Sequence, residues 1–376
     1  MRKAFMCRIF PNKRTSHILE ASLEECCWLY NDTLSFRKKA LEEEKRIANY
    51  YETKRRIPVL KASRPSLETV HSQVLQNVTE RVDLAFQAYF RRVKSGEKEP
   101  GYPRFKGYGR YDSLTYTQSG FKLAGNCLEV SKIGNLKLVL HRPIEGTIKT
   151  LTLRRSSTGK WYACFSVEIE PKRLPKLESV VGIDVGLNTF ATLSDGTEIE
   201  NPCFFRKEEK ALVKVQRKLS KETKGTPERR FRRKAVARTH ERIGFKRSNF
   251  SHQYSRKIVN QFGFIAVEDL TVNRMVHSHC LSKSIHDVAW SGFFRILRSK
   301  AEEAGYTFIA VNPAYTSQTC SKCGHRLLDK LILSDRLFTC PDCQLHIDRD
   351  INAALNIKSL GLQAVGLPLN APAACL

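Results

Sequence analysis

Four cysteines near the C-terminus constrain the fold of this chain more than any other feature of its sequence. Cys320-x-x-Cys323 and Cys340-x-x-Cys343 are separated by sixteen residues. This spacing is typical of a zinc ribbon, in which each pair supplies two thiolates to one tetrahedral ion. Four thiolates leave no coordination position for a reacting water. We therefore predict one structural Zn²⁺ that holds a loop in place and takes no direct part in chemistry.

Charge indicates the class of partner. The chain has 376 residues, with 64 Lys or Arg against 38 Asp or Glu, which gives a formal net charge of +26. A surplus of this size favours polyanions, either nucleic acid or an anionic membrane face. No apolar stretch has the length of a membrane span, and the first residues lack the apolar core of a signal peptide. Nucleic acid is therefore the predicted partner, with no membrane.

Hydrophobic periodicity predicts the elements of the N-terminal half. Alternation predicts a strand over Arg2–Pro11, and apolar residues three or four apart predict helices over residues 16–93, interrupted by a basic loop at Lys54–Arg64. Short β-branched and aromatic runs then lie between glycine-containing turns. They predict a small barrel or sandwich, with strands at Leu128–Val130, Leu136–Leu140, Thr147–Arg154 and Trp161–Ile169.

Strands and helices alternate in the C-terminal half, which predicts an α/β fold. Val180–Asp184 and Thr189–Leu193 form a predicted hairpin, and Gly263–Val267 is a buried strand. The remaining predicted elements are a helix at Ile285–Ala304, a strand at Tyr306–Val311 and a last helix at Asp348–Leu360 that Gly361 ends.

The segment Arg206–Lys257 is helical in pattern and strongly basic. Its 52 residues include 19 Lys or Arg against 5 Asp or Glu, a net of +14. Solvated helical hairpins usually mix charges of both signs. We therefore predict a surface that follows a phosphate backbone.

Three acids stand at the ends of predicted elements in the same half of the chain. Asp184 ends the first strand, Glu268 follows a central strand, and Asp350 lies in the first turn of the last helix. Two divalent ions about 4 Å apart can activate a water and stabilise the leaving oxygen of a phosphodiester, provided that carboxylates hold them against their mutual repulsion. The acids are therefore candidate catalytic residues and ligands of two Mg²⁺ ions, or of Mn²⁺ in their place.

Four phrases of the sequence resemble one known family. They are Gly182-Ile183-Asp184-Val185-Gly186, Ala266-Val267-Glu268-Asp269-Leu270, Thr316-Ser317-Gln318-Thr319-Cys320-Ser321-Lys322-Cys323-Gly324 and Asp348-Arg349-Asp350-Ile351-Asn352-Ala353-Ala354. Together they resemble TnpB, the RNA-guided nucleases that are encoded by insertion sequences and related to type V CRISPR effectors. The resemblance covers nearly the whole chain.

The resemblance implies a fold and a domain order. It implies a RuvC-like nuclease domain of the ribonuclease H fold with an inserted zinc ribbon, and an N-terminal β-barrel (wedge) domain interrupted by a helical recognition module. The corresponding boundaries are 1–15 and 96–175 for the barrel, 16–95 for the helical module, 176–315 and 347–376 for the nuclease domain, and 316–346 for the zinc ribbon.

The resemblance also implies function, partners and site residues. TnpB proteins bind a guide RNA derived from the transposon end, recognise a short motif beside the target, and cut double-stranded DNA that pairs with the guide. Matching the motifs places Asp184, Glu268 and Asp350 on the metal-binding catalytic positions, with Asp348 as the fallback for Asp350. A monomer bound to its RNA, in the cytoplasm of a prokaryote and associated with the nucleoid, is the corresponding expectation.

Three alternatives stay open at this point. A DNA transposase would use the same acids for strand transfer. A nuclease-inactive, RNA-guided repressor would lack an acid, whereas all three are present. An actin-like ATPase shares the ribonuclease H topology, but it needs a second glycine-rich phosphate loop, and none follows Glu268.

Overall fold

The chain divides into two units in the computed structural model, Met1–Glu170 and Pro171–Leu376. The structure describes residues 1–271, 275, 282–329, 331 and 335–367. Within these ranges no helix combines the length and the apolar character that crossing a membrane requires. The end of the predicted nuclease domain, residues 368–376, lies outside the described residues, as do residues 330 and 332–334 of the predicted zinc ribbon.

Seven strands form one antiparallel sheet in the first unit. They are β1 (Arg2–Phe10), β2 (Ser113–Tyr116), β3 (Phe121–Ala124), β4 (Cys127–Val130), β5 (Gly134–Val139), β6 (Thr147–Arg155) and β7 (Trp161–Glu168). Their order is β2-β6-β7-β1-β5-β4-β3, and the sheet is a nearly closed barrel. The four strands predicted in this region are confirmed, whereas β2 and β3 were not predicted.

Strand β1 shows why the sequence pattern works here. Phe5, Cys7 and Ile9 are buried while Met6 and Phe10 face outward. Because side chains alternate across a strand, slipping β1 by one residue would expose its whole buried set. Burial therefore fixes how β1 pairs with β5 and β7.

Four helices lie between β1 and β2 in the sequence. They are α1 (Lys13–Glu42), α2 (Tyr50–Arg55), α3 (Ile57–Ser63) and α4 (Ser72–Lys94), with a short 3₁₀ helix at Pro65–Thr69. The predicted helical region is confirmed, but the basic loop at Lys54–Arg64 is wrong because most of it is helical. Pro58 stands in the first turn of α3, where the missing N–H has no intrahelical partner to lose.

In the described part of the second unit, five strands form one sheet. They are β8 (Val180–Asp184), β9 (Thr189–Leu193), β10 (Glu198–Glu200), β11 (Phe264–Glu268) and β12 (Thr307–Val311), in the order β10-β9-β8-β11-β12. The predicted hairpin is confirmed, since β8 and β9 are antiparallel, while β8, β11 and β12 run parallel. A two-stranded antiparallel hairpin, β13 (Leu337–Thr339) and β14 (His346–Asp348), lies in the cysteine region.

The helices of this unit differ from prediction at two places. They are α5 (Phe204–Ser220), α6 (Pro227–Gln261), α7 (Ser282–Val288), α8 (Trp290–Ala304) and α9 (Arg349–Ala364). The single helix predicted over Ile285–Ala304 is interrupted at Ala289, whose φ is +55°. Val288 and Trp290 would face different sides of one helix, and the interruption lets both be buried.

The predicted end of the last helix is also wrong. Helix α9 continues through Gly361 to Ala364. A Cβ at Gly361 would lie 2.5 Å from the Cβ of Ala266 in β11. Glycine at this position therefore permits close packing of the helix on the sheet and does not act as a stop signal.

Candidate functional site

Two of the predicted acids end neighbouring parallel strands. Asp184 is the last residue of β8, and Glu268 is the last residue of β11. Ile183 pairs with Val267 in the register between these strands, which puts the two acids side by side at one edge of the sheet. Glu268 is only 9% exposed, so the sheet holds at least one carboxylate away from bulk water at this edge.

Helix α9 brings the third acid to the same edge. Asp350 lies in its first turn. The helix lies directly on β8, because a Cβ on Gly182 would be 2.1 Å from the carbonyl oxygen of Ala354. Only glycine permits so close an approach of two backbones. The charges of Asp350 and Glu268 both act on Asp184, so the structure brings the three predicted acids together.

Burial and mutual repulsion make these carboxyls difficult to ionise. Burial raises the pKa of Asp184 well above its ordinary value, and the charges of Glu268 and Asp350 raise it further. Burial also raises the pKa of Glu268, although the hydroxyl of Thr316 donates a hydrogen bond to Glu268 Oε1 at 2.6 Å and opposes the effect. Burial and the charge of Asp348 raise the pKa of Asp350. A divalent cation would offset this repulsion.

The donor set fits hard divalent cations. All three side chains are carboxylates, the ligand type that suits Mg²⁺ and Mn²⁺. Several carboxylates at one edge of a sheet can hold two such ions about 4 Å apart against their mutual repulsion.

Asp348, the fallback for Asp350, has a different position. It precedes the first residue of α9, and its Oδ1 accepts hydrogen bonds from the backbone N–H groups of Asp350 at 2.8 Å and Ile351 at 3.1 Å. This is the geometry of a helix N-cap, which satisfies backbone donors that have no partner inside the helix. The carboxylate of Asp348 thus stabilises the start of the helix that carries Asp350.

The four cysteines form one cluster. Their sulfur atoms all lie within 4.8 Å of one another, and Cys320–Cys343 and Cys323–Cys340 are each 3.5 Å apart. A tetrahedral zinc with bonds of about 2.3 Å implies sulfur–sulfur distances near 3.8 Å. The arrangement is therefore compatible with a structural zinc that uses all four thiolates.

The two Cys-x-x-Cys turns have the same backbone geometry. The residue after each second cysteine has a positive φ, +78° at Gly324 and +55° at Gln344. Backbone N–H groups also point at the sulfur atoms. Burial alone would raise the pKa of Cys320, but the N–H groups of Cys323 and Lys322 bring it down to about 7. The pKa of Cys340 is lowered in the same way, whereas contacts with the other cysteines raise the pKa of Cys323 and Cys343, so the thiolate form that zinc requires is favoured at two of the four positions.

The structure adds three residues that the sequence analysis did not single out as functional. Thr316 contacts Glu268, and both Asn352 and Asn356 donate to backbone carbonyls of the segment that leads into the first cysteine pair. Asn352 belongs to one of the phrases that resemble TnpB, so the sequence already marked it as part of a motif. Its hydrogen bonds to a distant segment could be seen only in the tertiary structure.

The basic segment that was predicted to be helical forms two helices, α5 and α6, with a break at residues 221–226. Its acids are largely neutralised within the second unit, by the ion pairs Glu208–Arg242, Glu208–Lys246, Glu209–Lys283 and Glu222–Arg232. A line of exposed lysines three or four residues apart follows one face of α5 and ends at the residue just after it, namely Lys207, Lys210, Lys214, Lys218 and Lys221. This line leaves positive charge facing solvent.

Sequence comparison identifies the family. A Streptomyces pristinaespiralis protein named "Putative RNA-guided DNA endonuclease" is 31% identical to this chain over 371 residues, which cover 97% of this chain and 90% of the relative. The chain belongs to the TnpB family. A second relative of this TnpB protein, "Putative RNA-guided DNA endonuclease InsQ" of Escherichia coli (strain K12), is 32% identical over 308 residues, or 77% of this chain and 74% of the relative.

Family models match three parts of this TnpB chain. They are described as "Helix-turn-helix domain" for residues 1–46, "Probable transposase" for residues 164–279 and "Cas12f1-like, TNB domain" for residues 290–357. The first description differs from the structure, because the strand β1 and the single 30-residue helix α1 occupy most of residues 1–46.

A solved structure shares the fold of this TnpB protein. It is a cryo-EM structure of a Cas12f1–sgRNA–target DNA complex, with a TM-score of 0.59 and 16% sequence identity, and the match covers 92% of this chain and 83% of that one. At this level of identity the similarity establishes the fold alone.

Proposed function

We propose that this TnpB-family protein is an RNA-guided DNA endonuclease that hydrolyses phosphodiester bonds with divalent cations. The observation that carries the proposal is the convergence of Asp184, Glu268 and Asp350 at one edge of the second sheet. Relatives that match most of the chain are named RNA-guided DNA endonucleases. The names of these relatives indicate the reaction class, and the three acids are the groups that could carry out the reaction.

In this proposal Asp184, Glu268 and Asp350 are the metal ligands and the catalytic residues. Two Mg²⁺ ions, or Mn²⁺ in their place, would supply an activated water and stabilise the leaving oxygen when bound. Asp184 is flanked by the other two acids and its carboxyl is the one most affected by their charges. The protein's own contribution is a rigid edge of sheet and helix that holds three carboxylates close together before substrate arrives.

The finer fold assignment belongs to the same proposal. The antiparallel strands β10-β9-β8, continued by the parallel β11 and β12, support a ribonuclease H-like (RuvC) domain at residues 176–315 and 347–376. The cysteine cluster supports a zinc ribbon inserted at residues 316–346. The sheet of the first unit supports a barrel domain at 1–15 and 96–175, interrupted by a helical module at 16–95.

The proposed partners are a guide RNA derived from the transposon end and double-stranded target DNA. The exposed lysine line of α5 supports this, since a duplex held through its phosphates needs positive surface and little base-reading chemistry. Base pairing then supplies sequence specificity. We propose a monomer with its RNA, acting in the prokaryotic cytoplasm.

Replacing Asp184 tests the chemistry. We expect Asp184→Ala to abolish Mg²⁺-dependent cleavage of guide-matched DNA while RNA and target binding stay unchanged, because the change removes a metal ligand and leaves the phosphate-binding surface intact. Cleavage assays and filter binding on the same RNA complex measure both. Asp195→Ala, an exposed acid in the turn after β9, is the matched control and should cut normally. Cleavage by pure Asp184→Ala at the wild-type rate would refute the assignment.

A DNA transposase is the second candidate, because the family model over residues 164–279 is described as "Probable transposase". The two functions differ in product. A guided nuclease leaves broken target DNA and requires its RNA, whereas a transposase joins a transposon end to the target without one. Product analysis with and without the copurified RNA therefore separates them.

Zinc removal tests the cysteine cluster. We expect Cys340→Ser to lower bound zinc well below one ion per chain and to lower the melting temperature, since a tetrahedral site that loses one thiolate loses much of its contribution to folding. Elemental analysis and thermal unfolding measure the two effects. Cys127→Ser removes an exposed free thiol of the first unit and should change neither. Full zinc content in Cys340→Ser would contradict the predicted ligand set.

A further inference from the structure

Two buried asparagines fasten the segment before the first zinc-binding turn to helix α9. Asn356 Nδ2 donates to the carbonyl oxygens of Thr316 at 2.8 Å and Thr319 at 2.7 Å. Asn352 Nδ2 donates to Thr319 O at 2.8 Å, and its Oδ1 accepts from the backbone N–H of Ser321 at 2.9 Å. Asn352 is fully buried and Asn356 is 9% exposed. We name these four hydrogen bonds the amide clamp.

Thr316, the first residue held by the amide clamp, contacts the carboxylate site. Its hydroxyl lies 2.6 Å from Glu268 Oε1 and 3.2 Å from the carbonyl oxygen of Pro313. A hydroxyl has a single proton to donate, and the shorter contact leads to the stronger, charged acceptor. Thr316 is 5% exposed, so no bulk water can easily take its place beside Glu268.

We propose that Thr316, Asn352 and Asn356 are positioning residues that orient the carboxylate of Glu268 for divalent-cation binding. The proposal rests on the function proposed above. Helix α9 carries Asp350 in its first turn and the two asparagines in the next turns. One rigid helix therefore sets both the position of Asp350 and, through the amide clamp and Thr316, the rotamer of Glu268.

The same contacts join the zinc cluster to this site. Thr319 and Ser321, which the clamp holds, directly flank Cys320. A carboxylate that keeps one oxygen bonded to a fixed hydroxyl presents the other in a defined direction, and partners of this kind usually account for 10- to 100-fold in metal affinity. Ordinary core packing would not need amides, because an apolar side chain of similar size would fill the space without four directed hydrogen bonds.

Metal titration of the full chain tests the proposal at Thr316. We expect Thr316→Val to weaken Mn²⁺ binding by about 10-fold or more. Calorimetry measures this affinity, and the binding that counts is the part that is lost in Asp184→Ala. Thr316→Ser keeps the hydroxyl and should restore most of the affinity. Thr239→Val is the matched control, since Thr239 is a buried threonine of α6 whose hydroxyl donates to the carbonyl of Ala235. It should leave Mn²⁺ affinity unchanged.

A double-mutant cycle tests the amide clamp. We expect Asn356→Ala to weaken Mn²⁺ binding in the wild-type background and to add little in Thr316→Val, because both changes act through one contact. Asn31→Ala removes a similar clamp in the first unit, where Asn31 bonds the backbone N–H and carbonyl of Lys106, and should leave Mn²⁺ affinity unchanged. Zinc content is measured in parallel to identify loss of the cluster itself.

The outcomes separate this proposal from the nuclease function. The proposal is overturned if Thr316→Val binds Mn²⁺ as tightly as the wild type, or if Thr316→Val and Thr316→Ser lose affinity equally. It is also overturned if the protein shows no Mn²⁺ binding that depends on Asp184. Lower thermal stability without a change in Mn²⁺ affinity would show a purely structural role and overturn it as well. Failure of the proposed nuclease function gives a different result: the wild-type protein binds Mn²⁺ but does not cut guide-matched DNA.

Discussion

At the residue scale, burial and neighbouring charges make ionisation of the carboxyls in the proposed site unfavourable until a cation binds. Burial and the neighbouring acids raise the pKa of Asp184 well above its ordinary value. The folded protein therefore binds more protons than the unfolded chain over the pH range between the two values. Folding stability falls as pH rises through that range, because the unfolded state gives up its proton first.

Asp184→Asn should remove this penalty. In buffer free of Mg²⁺ and Mn²⁺, with the same zinc concentration for both proteins, we expect the variant to match the wild type below the ordinary aspartate pKa of about 3.9. Above it, the melting temperature of the variant should increasingly exceed that of the wild type as pH rises. Saturating Mg²⁺ should reduce the difference. Melting curves from acid to neutral pH measure it, with Asp195→Asn as the flat reference. A difference between variant and wild type that does not vary with pH would contradict the raised pKa.

At the element scale, the site depends on how closely α9 lies on β8. The strand residue at the contact is Gly182, and its absent side chain leaves room for the backbone of the helix at Ala354 and Lys358. Gly182 is part of a motif that is visible in the sequence, but the reason for a glycine there is the approach of a helix far away in the chain. The same holds for Gly361 against Ala266.

Adding one methyl group tests this contact. Gly182→Ala places a Cβ 2.1 Å from Ala354 O, so we expect destabilisation of about 1–3 kcal/mol and a loss of Mg²⁺-dependent cleavage as Asp350 moves away. The matched control is Gly244→Ala, an exposed glycine inside α6 with nothing within 4 Å of its Cβ position. Helix propensity should make that variant more stable by about 1 kcal/mol. Denaturant titration measures the free energy of unfolding of both variants, which should change in opposite directions. Equal changes in Gly182→Ala and Gly244→Ala would argue against close packing at Gly182.

At the scale of the whole molecule, the net charge of +26 is concentrated in one region of the chain. More than half of it lies in residues 206–257, now seen as most of α5 and α6. Because the acids of these helices are largely paired within the second unit, the lysine line of α5 stays exposed to solvent. Such a line can neutralise successive phosphates and release their counterions.

Salt dependence measures that role. We expect the triple change of Lys210, Lys214 and Lys218 to Gln to weaken guide RNA binding and to lower the slope of log affinity against log salt by up to about 3, roughly one for each phosphate that is no longer neutralised. The matched control replaces the same lysines with Arg, which keeps the charge and should keep the slope. An unchanged slope in the Gln variant would place the RNA elsewhere on the protein.

The sequence alone determined the chemistry that this protein carries. The spacing of the cysteines, the acids at strand and helix ends and the sign of the charge are local properties, so they could be found without knowing which segments meet. Secondary structure was predicted where periodicity was strong, as in β1, β8 and α4. It was mistaken where packing overrode local pattern, as at Ala289 and Gly361.

The tertiary structure decided how these groups are arranged. The resemblance to TnpB favours Asp350 over Asp348, but only the start of α9 shows that Asp348 caps the helix while Asp350 lies within its first turn. The hydrogen bonds of Asn356 and Thr316 join residues 40 and 48 positions apart. Such contacts depend on the register of a helix against a sheet, which many distant residues set together, and no local pattern of residues encodes it.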